Sequence, residues 1–286
     1  QGHKPVKAAK SSKPKHASQK QRPAAQKLTQ LHFTLDTSVL RTCPLCELSY
    51  TRAAPDDEAL HRSHCARVRR GMEWGRDEER EARATEIASG LRLKGEQWRH
   101  VRGRIVSVRL DVGGKTGAKL GALLQTINLA LSSPPLPPAA LKACKAYLFL
   151  VPTPASSSLA STRREKIAGC VIAQRIDTAM RNVDPTPPSG EAPAARQDLV
   201  AVDLSSGLYV HPEPLPTAMG IPRLFVSSTY RRCGIAMQLL DAAARTFIHS
   251  CPLDPRKGEV AFTQPTSSGR AVMLRWGQGA VRIYDE

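Results

Sequence analysis

The stretch Gly220-Ile221-Pro222-Arg223-Leu224-Phe225-Val226-Ser227-Ser228-Thr229-Tyr230-Arg231-Arg232-Cys233-Gly234-Ile235-Ala236 runs from a strand through a loop into a helix, and its reading decides the fold. Arg223–Ser228 is apolar enough for a buried strand, while Ile235, Leu239, Leu240, Ala243 and Phe247 recur on one helical face. Between them an Arg-x-x-Gly-x-Ala loop opens the helix. Successive backbone N–H groups there, with the helix N-terminus, suit an anion of pyrophosphate type. Gly234 permits close backbone approach, and the small Ala236 permits tight packing. No Gly-Lys-Ser/Thr is present, so this is not a P-loop, and the flanking glycines of a dinucleotide fingerprint are missing. Taken alone, arginine and glycine at a helix start are common, so the rest of the chain has to corroborate the loop.

Working outward, Glu259–Thr263 reads as a strand, 266–275 as a short helix and Ala280–Tyr284 as a last strand. On the N-terminal side, Lys145–Val151 and Lys166–Arg175 are apolar strands joined by a Ser-rich loop, and Leu199–Asp203 is a shorter one. Val101–Asp111 alternates as a strand does, and Leu120, Leu123, Leu124, Ile127 and Leu131 mark an amphipathic helix over about 116–131. Strands in mixed order with few helices indicate an α/β sheet domain over 101–286. Proline-rich insertions interrupt it near 132–138, 152–162 and 184–197. Residues 72–100 read as a charged helical linker.

Farther out lie Cys43-Pro-Leu-Cys46, His61 and Cys65. A C-x2-C knuckle presents two sulfurs, while His61 and Cys65 stand one turn apart on the helix expected over 56–70, which Gly71 ends. Four such ligands suit a closed, structural zinc site. His64 competes with Cys65 for the fourth place, and the i,i+4 spacing favours Cys65. Asp56, Asp57 and Glu58 open the helix where a DNA-reading finger would meet phosphate, so the finger, over 36–71, reads as structural.

The chain has 286 residues and a net charge of +17, with 41% hydrophobic and 23% charged residues, ordinary for a globular protein. No apolar run approaches the ~20 residues of a membrane helix. Lys4, Lys7, Lys10, Lys13, Lys15, Lys20, Arg22 and Lys27 put +8 of that charge in residues 1–35, which contain no acid and read as a disordered basic arm. The chain starts at Gln1 without methionine and reads as a fragment. Seven cysteines and no secretory segment fit a reducing compartment.

These residues together resemble one family. Arg231-x-x-Gly234-x-Ala236 after a strand looks like the acetyl-coenzyme A loop of GNAT acetyltransferases. Gly220–Ala236, Gly169-Cys170-Val171-Ile172-Ala173, Glu259–Thr266, the terminal Gly277, Gly279 and Tyr284, and the finger stretch Leu45–His61 resemble the Eco1/ESCO sister-chromatid cohesion acetyltransferases, in a fungal-like form. The resemblance covers about 40–286 without the insertions. It implies a GNAT-type mixed sheet flanked by helices behind a small ββα-like finger. It also implies transfer of acetyl from acetyl-CoA to lysine of the cohesin subunit Smc3, in the nucleus.

On that resemblance Leu224, Phe225 and Val226 would bond the pantetheine arm. Arg231, Arg232, Cys233, Gly234, Ile235, Ala236 and Met237 would hold the pyrophosphate, and Gln264, Pro265 and Thr266 would line the reactive end. The family carries acids at two functional positions. Asp241 falls at the first, but Gln264 occupies the second and cannot act as a base, which leaves Asp241 as the expected base or lysine-orienting carboxylate, with Glu259 behind it. Gln264 would then position the thioester or substrate, and Tyr284 is a further proton donor to weigh. Gln26–Phe33 shares little with a sliding-clamp peptide, which makes the replication clamp a lesser partner. Two rival readings remain: a nucleic-acid-binding finger protein with a non-catalytic acetyl-CoA-fold domain, and a pseudoenzyme that binds acetyl-CoA without turnover.

Overall fold

The computed structural model describes residues 39–153, 164–183, 200–203 and 208–285. The expected basic arm, the clamp-like stretch and most of the insertions near 152–162 and 184–197 lie outside them. Among the described residues no helix is long and apolar enough to cross a membrane.

The chain enters through β1 (Leu40–Thr42) and β2 (Ser49–Thr51), an antiparallel hairpin around the C-x2-C knuckle, followed by α1 (Pro55–Arg70). Proline at the helix start and acids in its first turn suit the N-terminus, as Arg67, Arg69 and Arg70 suit the C-terminus. Two of those acids also stitch the finger: Asp57 accepts from the Thr51 N–H at 3.2 Å and Glu58 from the Ala53 N–H at 3.1 Å. Gly71 ends α1 at φ 76°, and a Cβ there would stand 2.2 Å from the Ile167 carbonyl oxygen. The finger therefore runs straight onto the sheet.

Residues 72–100 are not a helical linker. They form β3 (Met72–Trp74), which pairs with a central strand, the short α2 (Arg76–Glu81), and β4 (Thr85–Arg92), which closes one edge of the sheet. Two register shifts in β4 break the alternation a strand normally shows in sequence. Its charges have a tertiary purpose, described below.

The rest follows as β5 (Arg102–Arg109), α3 (Gly114–Leu131), α4 (Pro138–Ala143), β6 (Lys145–Pro152), β7 (Glu165–Arg175), β8 (Thr178–Val183), β9 (Val200–Asp203), β10 (Leu208–Pro216), β11 (Met219–Val226), α5 (Ile235–Thr246), β12 (Val260–Phe262), α6 (Ser267–Gly277) and β13 (Arg282–Ile283). The expected loop over 132–138 turns into α4 at its end. Among the described residues eleven strands share one sheet in the order β4-β5-β6-β7-β11-β12-β13-β8-β10-β9, with β3 pairing β7. Among the described pairings only β11–β12 and β12–β13 are parallel. The expected mixed α/β sheet flanked by helices is what the chain forms.

Alternating strand residues feed two cores. Tyr147, Phe149, Val171 and Ile221 pack beneath α5 and α6, while Leu148, Cys170, Ile172 and Phe225 pack with α3. Cys43, Cys46 and Val68 of the finger belong to the second core, so the finger is continuous with the domain.

Candidate active site and metal centre

Two strands that start side by side and then part create the site. β12 pairs with β11 as far as Phe262 opposite Ile221, and the Thr263 N–H reaches the Ile221 carbonyl at 3.4 Å. Beyond that β11 continues to Val226 with β7 on one edge only. Thr263 Oγ1 donates to the Pro222 carbonyl at 3.0 Å and marks the apex of the resulting V. The edge of Leu224–Val226 away from β7 leaves main-chain donors and acceptors that an extended ligand could use.

At the end of β11, Ser228–Tyr230 makes a 3-10 turn and the chain swings into α5. Arg232 and Gly234 both have positive φ, 64° and 84°. Such a conformation in a non-glycine residue costs about 1–2 kcal/mol and is typical of functional loops. Cys233 is buried with Ile235, and burial pushes its thiol pKa up, so it is a packing residue and a poor nucleophile. Arg231 and Arg232 are exposed beside the first turn of α5, whose N–H groups have no partner within the helix.

Beyond the apex a cavity of about 420 Å³ opens on the α3 face. Gln264, Pro265, Thr266, Arg223, Tyr284 and Asp285 line it. Arg223 is buried and clamps this wall together: Nε donates to Asn128 Oδ1 at 3.0 Å and Nη2 to the Pro134 carbonyl at 2.6 Å. Tyr284 donates its N–H to the Phe262 carbonyl and accepts at its hydroxyl from Gln174, both at 3.0 Å. Thr266 Oγ1 caps α6 by accepting from the Gly269 N–H.

The two acids favoured from the sequence lie elsewhere. Asp241 is exposed on α5 and accepts from Trp276 Nε1 at 2.8 Å, tying α5 to α6, and it does not line the cavity that holds Gln264. Glu259 sits at the opposite end of β12 and accepts from the Asp254 N–H at 2.6 Å. Strand geometry of ~3.3 Å per residue puts it about 15 Å from Gln264. The acid that does line the cavity is Asp285, which sequence reading missed because no pattern marks a lone acid near a chain end. A larger cavity, about 740 Å³, lies at α2 and the β4–β5 edge, where Arg104 is bonded to Glu79, Glu86 and Glu165. It is an ion-pair network away from the V, built round Arg104.

In the finger, the ligand atoms of Cys43, Cys46, His61 and Cys65 all lie within 4.8 Å of one another. His64 is outside this group and turns into the core beside Val68. The His61 ring stacks on Tyr50, centroids 4.1 Å apart, and its buried Nε2 has no hydrogen-bond partner. Burial and the nearby thiols push Cys46 up, whereas Cys43 is brought down despite burial by the Leu45 N–H and His61. Three sulfurs and an imidazole facing one point, one nitrogen unpartnered, fit a tetrahedral divalent metal.

Comparison with known proteins gives the same picture. A family model described as ESCO1/2 acetyl-transferase matches residues 215–284, and one described as the zinc-finger of acetyl-transferase ESCO matches 30–67. The N-acetyltransferase ECO1 of Yarrowia lipolytica is 26% identical over 284 residues, 98% of this chain and 84% of that protein. Human N-acetyltransferase ESCO2 is 26% identical over 82% of this chain, and Schizosaccharomyces pombe eso1 is 27% identical over 88%. The chain spans only 33% and 25% of those two longer relatives. Among solved structures, the xEco2 acetyltransferase domain bound to a K105-CoA conjugate superposes with a TM-score of 0.51 at 22% identity, covering 71% of this chain and 98% of that one. That likeness gives the fold.

Proposed function

We propose that this chain, which is similar to the Eco1/ESCO N-acetyltransferases over most of its length, moves acetyl from acetyl-CoA to a lysine of the cohesin subunit Smc3, in the nucleus, to establish cohesion. The parting of β11 from β12, with the Arg231–Ala236 loop at one end and the Gln264 cavity beyond the apex, carries this reading. A coenzyme arm would hydrogen-bond along Leu224–Val226, its phosphates would meet the loop, and its thioester would reach the apex. The acceptor lysine would enter from the cavity.

Transfer is direct. The amine nitrogen bonds to the thioester carbon, the C–S bond breaks, and the thiolate leaves with the electron pair. A lysine ammonium of pKa ~10.4 must first give up a proton. In this chain the cavity carboxylate is Asp285, which we assign to drawing in the ammonium and accepting its proton, directly or through water. Tyr284 lies beside it as a hydroxyl donor for the departing sulfur. Gln264 orients the acceptor by hydrogen bonding, and Asp241 braces α5 against α6. Zinc, held by Cys43, Cys46, His61 and Cys65, would fix the finger and take no part in the chemistry.

Incubation with acetyl-CoA and an Smc3 head domain, read by mass spectrometry, should yield an acetylated lysine. Calorimetry showing acetyl-CoA bound while no lysine is modified would sink the enzymatic reading in favour of a coenzyme-binding pseudoenzyme.

A further inference from the structure

One cation beside the loop comes from a part of the chain that carries no acetyltransferase signature. After β4 the chain folds back as Leu93-Lys94-Gly95 and a 3-10 turn, Glu96–Trp98. Three ties hold this segment to the loop and to α5. The Lys94 N–H donates to the Cys233 carbonyl at 2.9 Å, Gln238 Nε2 donates to the Arg92 carbonyl at 3.1 Å, and the Trp98 ring lies against Tyr230 with centroids 4.9 Å apart. Leu93 is buried in the core beneath.

These ties decide where the Lys94 side chain goes. Its Cδ and Cε stand 3.4 and 3.5 Å from the point a Cβ on Gly234 would occupy, so the stem lies across the glycine of the loop with the ammonium one bond farther on. Lys94, Arg231 and Arg232 are all exposed, and none of the three has a carboxylate partner among the described residues. The nearby Glu96 is paired with Arg99 at 2.7 Å. Three uncompensated cations round one helix N-terminus repel one another unless an anion joins them.

The geometry points to Lys94 as a third cationic ligand for a phosphate of the coenzyme, on a segment that forms the outer wall of its site. The inference rests on the coenzyme reading above. The phosphate is either the pyrophosphate or the ribose 3′-phosphate, which share the same recognition chemistry. A lysine bound through its backbone N–H brings a pre-positioned point charge, so little ordering is left to do when the ligand arrives.

The test titrates the full chain, purified with zinc, with CoA and with 3′-dephospho-CoA, comparing wild type with Lys94→Ala, Lys94→Glu and Lys94→Arg. None of these changes removes the Lys94 N–H, so unfolding midpoints without coenzyme should match. CoA affinity should fall about tenfold in Lys94→Ala and further in Lys94→Glu, and stay within about threefold in Lys94→Arg. KM for acetyl-CoA should rise, with kcat and KM for the acceptor peptide unchanged. A loss of the same size with 3′-dephospho-CoA places the contact on the pyrophosphate; a loss that disappears with it places the contact on the 3′-phosphate. Affinities of Lys94→Ala and Lys94→Glu within twofold of wild type overturn the assignment while wild-type CoA binding leaves the coenzyme site standing. Absence of any wild-type heat with CoA overturns that site and Lys94's role in it together.

Discussion

Gln264 is the residue at which this chain departs from the Eco1/ESCO proteins it resembles, and its surroundings change how the departure reads. By sequence alone a glutamine there leaves Asp241 as the base. Yet the Asp241 carboxylate is engaged by the Trp276 indole at 2.8 Å, while Asp285 shares the cavity with Gln264. Asp285→Asn should therefore lower kcat by about a hundredfold, in the range of a lost general base, with acetyl-CoA binding intact. Asp241→Asn should keep kcat within about threefold and cost about 1 kcal/mol of stability through the part-buried indole hydrogen bond. Steady-state rates on a lysine peptide separate the two, and the reverse ranking would return the role to Asp241.

At the scale of elements, α1 is the instructive case. Its periodicity, acidic first turn and terminal Gly71 were all readable, as was the spacing of Cys43, Cys46, His61 and Cys65, which the fold gathers into one cluster. What could not be read was what the helix leans on. One face carries His61 and Cys65 toward the knuckle, while His64 and Val68 are buried against the body. The helix packs on α3 and on the 3-10 turn Ser228–Tyr230 that leads into the Arg231–Ala236 loop. Metal removal should thus be felt beyond the finger. Chelation is expected to lower the unfolding midpoint of the whole domain and to weaken acetyl-CoA binding, with both restored by added zinc. Unchanged coenzyme affinity in the chelated protein would show the finger to be energetically separate. Residues 72–100 show the opposite case: charge density read as a helical linker turns out to belong to two strands and a short helix built into the domain, because Glu79 on α2 and Glu86 on β4 find Arg104 only after folding.

For the molecule as a whole, Arg104 on β5 joins α2, β4 and β7 through Glu79, Glu86 and Glu165 at 2.6, 3.1 and 2.6 Å. The Arg104 side chain is 18% exposed and that of Glu165 7%. Arg104→Leu leaves that carboxylate buried without a cation and should cost about 3 kcal/mol, read by denaturant unfolding. The hydrogen bond from Arg104 holds the Glu79 carboxyl below the usual glutamate range, outweighing burial. A lowered folded-state pKa stabilises above the ordinary value, about 4.3, and that stabilisation is lost as pH falls. The gap between wild type and variant should thus narrow below about pH 4.5. A gap that stays constant with pH would assign the loss to packing alone.

The sequence by itself determined the strand–loop–helix around Gly234, the ligands of the finger, and the succession of apolar strands. These rest on local conformational preference, fixed spacing and side-chain periodicity, all of which are carried by neighbouring residues. Only the tertiary structure decided which carboxylate faces the cavity, which lysine lies over Gly234, and that the finger and the charged stretch after it are built onto the sheet. Asp285 and Gln264, Lys94 and Gly234, Arg104 and Glu165 are each far apart in sequence. Their meeting depends on strand order and on where β12 leaves β11, and neither is encoded in any short segment of the chain.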